Sequence, residues 1–108
     1  MTWEEHAELP LTESTFFILA ALVHPRHGYS VMQWAETITE GRVVIGPGTL
    51  YGALKAFVKK DWIHELPGDD PRRKVYALSG EGKSILEKEV RRLEVVAKIG
   101  REVLAELE

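Results

Sequence analysis

No cysteine occurs in this sequence. Disulfides and thiolate metal sites are thereby excluded, and the chain fits a reducing compartment. Long apolar runs are also missing. The longest, Phe16 to Val23, is far too short to cross a bilayer, and no basic stretch precedes it. A soluble cytoplasmic protein with no membrane partner is therefore expected. Acidic residues are absent between positions 41 and 60, although the whole chain carries a formal charge of −3. Prolines are absent from 80 to 107, which leaves room for one long helix. The sequence further lacks a nucleophile–base–acid set, a phosphate loop and a metal-ligand cluster. Gly46-x-Gly48 has neither the spacing nor the Lys-Ser/Thr of a Walker loop. Neither an enzyme nor a cofactor is expected.

What is present distributes charge unevenly. Residues 1–40 hold six acids and one base, Arg26; residues 41–60 hold Arg42, Lys55, Lys59 and Lys60. From Ser79 onward, seven acids meet six bases. An acidic chain thus concentrates positive charge in its centre.

That centre, Gly46 to Lys60, reads as a helix. Gly46 stands at the N-cap and Pro47 at the first helical position, where a missing N–H costs nothing. Leu50, Leu54, Phe57 and Val58 recur at i, i+4, i+7 and i+8 and form a buried stripe. At about 100° per residue, Gly48, Gly52, Lys55 and Lys59 face the other way, flanked by Thr49 and Tyr51. Small residues and lysines suit close approach to phosphates; a solvated amphipathic helix is the plain alternative.

Before it, Thr12 caps a helix running to about Val23, with Phe16, Leu19, Ala20 and Val23 on one face. His24-Pro25-Arg26-His27-Gly28 stops it. His24 and His27 lack a nearby acid or cysteine to complete a ligand set and read as turn histidines. A second helix spans Tyr29 to roughly Thr39, with Tyr29, Met32, Ala35 and Ile38 inward and Trp34 at the rim. Arg42-Val43-Val44-Ile45 reads as a short strand. Residues 1–10, with Trp3 and Leu9, form a frayed or docking arm.

After Lys60 the period changes. Asp61 to Leu66 reads as a strand, Pro67-Gly68-Asp69-Asp70-Pro71 as a turn, and Arg72 to Leu78 as a returning strand. Helix, helix, helix, hairpin is the order of a winged helix-turn-helix: mainly α with a small β-hairpin wing. Three cations, Arg72, Arg73 and Lys74, lie on that hairpin, partly offset by Asp69 and Asp70. A basic helix beside a basic hairpin points to double-stranded DNA, with the helix in the major groove and the wing on phosphates or in the minor groove. A dimeric protein-interaction adaptor is the alternative.

Ser79 then caps a helix of about 28 residues. Leu86, Val90, Leu93, Ala97, Gly100, Leu104 and Leu107 keep a 3-4 spacing, and Ile85, Val96, Ile99 and Val103 form a second stripe. Both faces cannot be covered by one small domain, so a homodimer is expected. Residues 1–78 then form the arm and DNA-binding domain, and 79–108 the dimerisation helix.

Leu11-Thr12 with Phe16, His27-Gly28-Tyr29, Gly46-Pro47-Gly48-Thr49-Leu50-Tyr51 with Ala53-Leu54, and Arg72-Arg73-Lys74 with Tyr76, Leu78 and Gly82 resemble the PadR family of winged-helix transcriptional regulators. The similarity extends from residue 11 to 95, and the single terminal helix resembles the short subfamily. The resemblance implies a homodimeric repressor, released in some members by phenolic acids or cationic drugs. It also implies that Thr49, Tyr51 and Lys55 face DNA and that Arg72–Lys74 form the wing. Arg42, Pro47 and Lys59 join them as candidate DNA contacts. Two departures stand out: Gly52 where proline is common, and Ala77 where arginine often precedes Leu-Thr. In short relatives a drug sits between paired terminal helices, flanked by aromatic rings; the matching residue here is Leu93, so flat stacking is lost. Phe16, Leu93 and Val96 are the candidate effector contacts, with Trp3 and Trp62 as further aromatics.

Overall fold

The computed structural model describes residues 6–70 and 72–108; the expectation for Trp3 lies outside them. Helix α1 (Glu13–Ala21) starts where Thr12 accepts a hydrogen bond from Thr15 N. Strand β1 (Arg26–His27) leads directly into α2 (Gly28–Ile38). Helix α3 (Pro47–Lys59) begins at the Gly46-Pro47 punctuation. Strands β2 (Ile63–Leu66) and β3 (Val75–Leu78) form the hairpin, and α4 (Gly80–Ala105) closes the chain behind its Ser79 cap. The sheet is antiparallel in the order β1-β3-β2, with Arg26 opposite Tyr76 and Glu65 opposite Tyr76 on the other side.

The core lies between the three N-terminal helices, the sheet and the root of α4. Ile18, Leu19 and Leu22 meet Val31 and Ala35 from α2, and Leu50, Leu54 and Phe57 from α3. Each fully buried aliphatic side chain contributes about 1.5–3 kcal/mol against the ordering entropy. Trp62 joins helix to sheet: its ring lies 5.5 Å from Phe57, and its carbonyl accepts from Ser79 N at 2.9 Å. It is buried at the centre of the fold.

Several expectations need correcting. Arg42–Ile45 is an extended connector, not a strand. Val43 and Ile45 are buried while Arg42 and Val44 are exposed, so the alternation is real, but no neighbouring strand pairs with it. The first strand is instead Arg26–His27, inside what reads as a turn. Helix α1 stops at Ala21, leaving Val23 exposed. Helix α2 buries Gly28, Val31 and Ala35 and turns Tyr29 and Ile38 outward; small residues on that side let it approach its neighbours closely. On α3, Val58 is 38% exposed. Eight residues on from Leu50 it has rotated by about 80°, to the edge of the stripe. Arg72–Lys74 precede β3 rather than belonging to it, because Asp70 holds the turn open through Arg72 N at 2.9 Å.

Helix α4 divides in two. Its first turns bury Gly82, Ile85 and Glu89 against the domain, so Ile85 belongs to the core rather than to an outer stripe. Glu89 accepts a hydrogen bond from Leu11 N at 2.8 Å and pairs with Arg92. Beyond this root, Val90, Leu93, Val96, Ile99, Val103, Leu104 and Leu107 are all exposed.

Candidate nucleic-acid interface

The outer face of α3 follows from the local sequence. Proline at its first position and glycine before it fix the start, which then sets the rotation of every later side chain. Pro47, Gly48, Thr49, Tyr51, Gly52, Lys55 and Lys59 are exposed. A methyl group placed on Gly48 or Gly52 would meet nothing within 4 Å, so this face is low relief. Tyr51 is the exception. Its ring rests on α2: a Cβ at Gly28 would lie 3.1 Å from the Tyr51 ring and hydroxyl, so a larger residue there would push the ring outward by a few tenths of an ångström.

The wing stands beside this face. A cleft of about 560 Å³ separates the start of α2 from Tyr51 and Arg72–Lys74. A smaller one of about 360 Å³ runs between Tyr51, Lys55, Glu65, Lys74 and Tyr76. The structure therefore brings Tyr51 together with the three wing cations, and Lys55 together with Lys74. Arg42 is placed apart, its guanidinium 3.1 Å from Glu13 on α1. Pro47, Thr49 and Lys59 lie along α3 outside both clefts.

Electrostatics sharpen the arrangement. Arg72 Nε is 3.6 Å from Asp70, and Lys74 is 3.6 Å from Glu65 on the opposing strand. Both pairs are solvent-exposed and weak. Among the described residues, Lys55, Lys59 and Arg73 make no ion pair. Burial pushes the Tyr76 phenol above its ordinary range, Glu65 adds to this, and Lys74 opposes it. His27 Nδ1 is closed to solvent and has no hydrogen-bond partner. Among the described residues there is no cluster able to hold a metal ion.

Sequence reasoning missed the contribution of α2. Tyr29, Ser30 and Gln33 line the larger cleft. Their i, i+1, i+4 spacing does mark one helical face, but Tyr29 read as a core residue.

The candidate effector contacts are not gathered into one place. Phe16 packs edge-on against Phe17 at 5.3 Å, while Leu93 and Val96 lie exposed on the outer half of α4. Trp62 is shut in the core.

Comparison with known proteins places residues 18–88 within the model described as the transcriptional regulator PadR-like family. A transcriptional regulator from Clostridium thermocellum is 24% identical, with a TM-score of 0.72 over 83% of this chain and 90% of the other. A PadR family transcription regulator from Clostridium difficile R20291 is 26% identical, with a TM-score of 0.70 over 86% and 99%. A 37.1 kDa protein in transposon TN4556 of Streptomyces fradiae is 32% identical over 78 residues, 71% of this chain. The chain spans only 22% of that relative's length.

Proposed function

The chain belongs to the PadR-like family of transcriptional regulators, DNA-binding proteins rather than enzymes, and we propose that it is a homodimeric repressor of the short, single-terminal-helix type. Helix α3 enters the major groove, where Thr49 and Tyr51 meet base edges or sugars, and Lys55 and Lys59 neutralise phosphates. Arg72, Arg73 and Lys74 hold the flanking strand, and Pro47 borders the contact, while Arg42 reaches DNA only by releasing Glu13. The observation that carries this reading is the carboxylate-free, low-relief face of α3 standing beside the basic wing.

Dimerisation through α4 is supported by the exposed apolar residues beyond Val90. Residues 79–108 serve as the dimerisation helix, with Leu86, Val90, Leu93, Ala97, Gly100, Leu104 and Leu107 as its seam and Val96, Ile99 and Val103 beside it. The root of that helix is built into the DNA-binding domain. A two-fold axis there sets two recognition helices about one DNA turn, roughly 34–36 Å, apart. A small aromatic or cationic effector enters at the seam, against Leu93 and Val96, and releases the operator. No described helix is long and apolar enough to cross a membrane, which fits action in the cytoplasm.

The test is retention of the DNA upstream of the chain's own gene. Lys55→Glu and Tyr51→Ala each abolish retention and leave the dimer intact; unchanged retention in both removes the assigned face. Log affinity falls linearly with log salt at about 0.9 per neutralised phosphate, and Arg72→Ala flattens that slope. A panel of aromatic acids and cationic dyes, added to the complex, tests for release.

A further inference from the structure

Residues 6–11 have no part in the contacts assigned above, yet they run across the domain between the end of α3 and the root of α4. At one end, Glu8 lies 2.8 Å from Nζ of Lys60, the residue that caps α3. The same Nζ sits 4.9 Å over the Trp62 ring, and the His6 imidazole meets that ring edge-on at 6.5 Å. Lys60 holds the Glu8 carboxyl below its ordinary range, so the acid is ionised at neutral pH. At the other end, Leu11 N–H donates at 2.8 Å to Glu89, which is buried in the root of α4. Leu9 and Leu11 pack against the core along the way. His6 gathers the first turn of the arm: its carbonyl accepts from Leu9 N–H and its Nδ1 from Glu8 N–H, both at 3.0 Å. From Glu8 to Leu11 the backbone spans at most about 10 Å, so neither end can shift far while the other stays fastened.

Helices α3 and α4 barely touch one another directly. Ser79 ties the start of α4 to Trp62, and the arm ties α4 again at Glu89, about 15 Å further along the helix. Two separated ties fix the direction of α4 relative to α3 more firmly than the first alone. Their strengths differ. The Glu89 end is enclosed, whereas the Glu8–Lys60 pair is solvent-exposed and weak by itself. A segment fastened so lightly at one end opens locally, well ahead of global unfolding.

We propose that residues 6–11 are a detachable strap: fastened, they hold the end of α3 to the root of α4, and released at Lys60 they let the two helices shift, so that DNA retention falls. The inference rests on the DNA-binding and homodimer readings and adds a control to them. A fixed direction of α4 presets the placement of both recognition helices, which spares the ordering cost of binding two sites at once. Plain electrostatics acts with the opposite sign, because losing an acid from a DNA-binding protein raises its affinity. The direction of the effect therefore separates the two.

The test is Glu8→Lys in the full-length protein, read by amide exchange in NMR and by duplex retention. Lysine here repels Lys60, the arm opens as a unit, and the Leu11 amide is expected to exchange about fivefold faster than in wild type. Glu8→Lys/Lys60→Glu remakes the pair with its charges exchanged and is expected to return that rate to within about twofold of wild type. Retention of a duplex with two half-sites is expected to fall about fivefold in Glu8→Lys, although a positive charge has been added, while retention of a single half-site does not fall. Circular dichroism and sedimentation check fold and assembly, and Glu8→Gln, which only removes the pair, gives the same direction should charge reversal unfold the chain. A Leu11 rate that ignores the Glu8 substitutions, or that the exchanged pair fails to restore, overturns the strap. Unchanged or tighter retention of the two-site duplex also overturns the proposal, while DNA binding itself stands. Wild type that retains no duplex, or that sediments as a monomer, defeats the underlying readings instead, and the proposal with them.

Discussion

Gly82 lies where the first turn of α4 crosses the backbone of Trp62. A Cβ at this position would collide with the Trp62 carbonyl oxygen and crowd Leu78. Neither the helix nor the tryptophan has room to yield, since Ser79 links both: its N–H donates to Trp62 O at 2.9 Å and its hydroxyl caps Gly82 N at 3.0 Å. Gly82→Ala is therefore expected to destabilise the protein by about 1–3 kcal/mol, read from denaturant melts. Gly52→Ala is the counterpart. With open space around it and a mid-helix position, alanine there is expected to stabilise by up to about 1 kcal/mol. Tyr76 adds a pH dependence. Its phenol is raised in the fold, so the unfolded chain ionises first. The resulting stability is complete below the ordinary phenol value of about 10 and is lost as pH rises through the folded value. Denaturant melts between about pH 8 and 11 are expected to show this loss in wild type and a flatter profile in Tyr76→Phe.

Among the elements, the hairpin holds a charge that works against the DNA contact proposed for it. Glu65 in β2 shares a cleft with Lys55 and pairs with Lys74. On the proposed DNA contact, Glu65→Gln removes an anion from that side and frees Lys74, so duplex affinity is expected to rise several-fold, most at low salt, in a fluorescence titration. How far each element was legible depended on how it is punctuated. Helices α3, α1 and α4 begin where Gly46-Pro47, Thr12 and Ser79 say they begin, because each start is decided locally: by a side-chain cap at Thr12 and Ser79, and by the fixed φ of proline at Pro47. Strand β1 was hidden, since two residues carry no period and its partner, β3, lies some fifty positions away. Arg42–Ile45 shows the converse: β-branched residues alternate in burial without any strand beside them. The face of α2 was misread because packing against α1 and α3, not the order of apolar residues, decides which side turns in. Hence the sequence marks the cations of the candidate interface and passes over Tyr29, Ser30 and Gln33, which line the cleft beside them.

For the whole molecule, the decisive feature is the contrast between the two halves of α4. Leu104 is 62% exposed on the outer half of α4, outside the hydrophobic core. Leu104→Glu is therefore expected to leave the winged-helix core folded and to yield monomers in sedimentation equilibrium. Splitting one two-site contact into two single ones then costs about 100-fold or more in operator affinity. Retained dimers would place the pairing surface elsewhere.

The bond from Leu11 N–H to the Glu89 carboxylate, together with Arg92, clamps α4 at the point where it leaves the domain. From Val90 to Ala105 the rod extends about 24 Å, so a 5° change of pitch at the clamp swings its far end by about 2 Å. In the proposed two-fold assembly the pivot occurs twice, and its angle is translated into the gap between the two proposed recognition helices. On the proposed dimeric reading, the half-site spacing the protein can straddle then depends on the one enclosed carboxylate that fixes this angle.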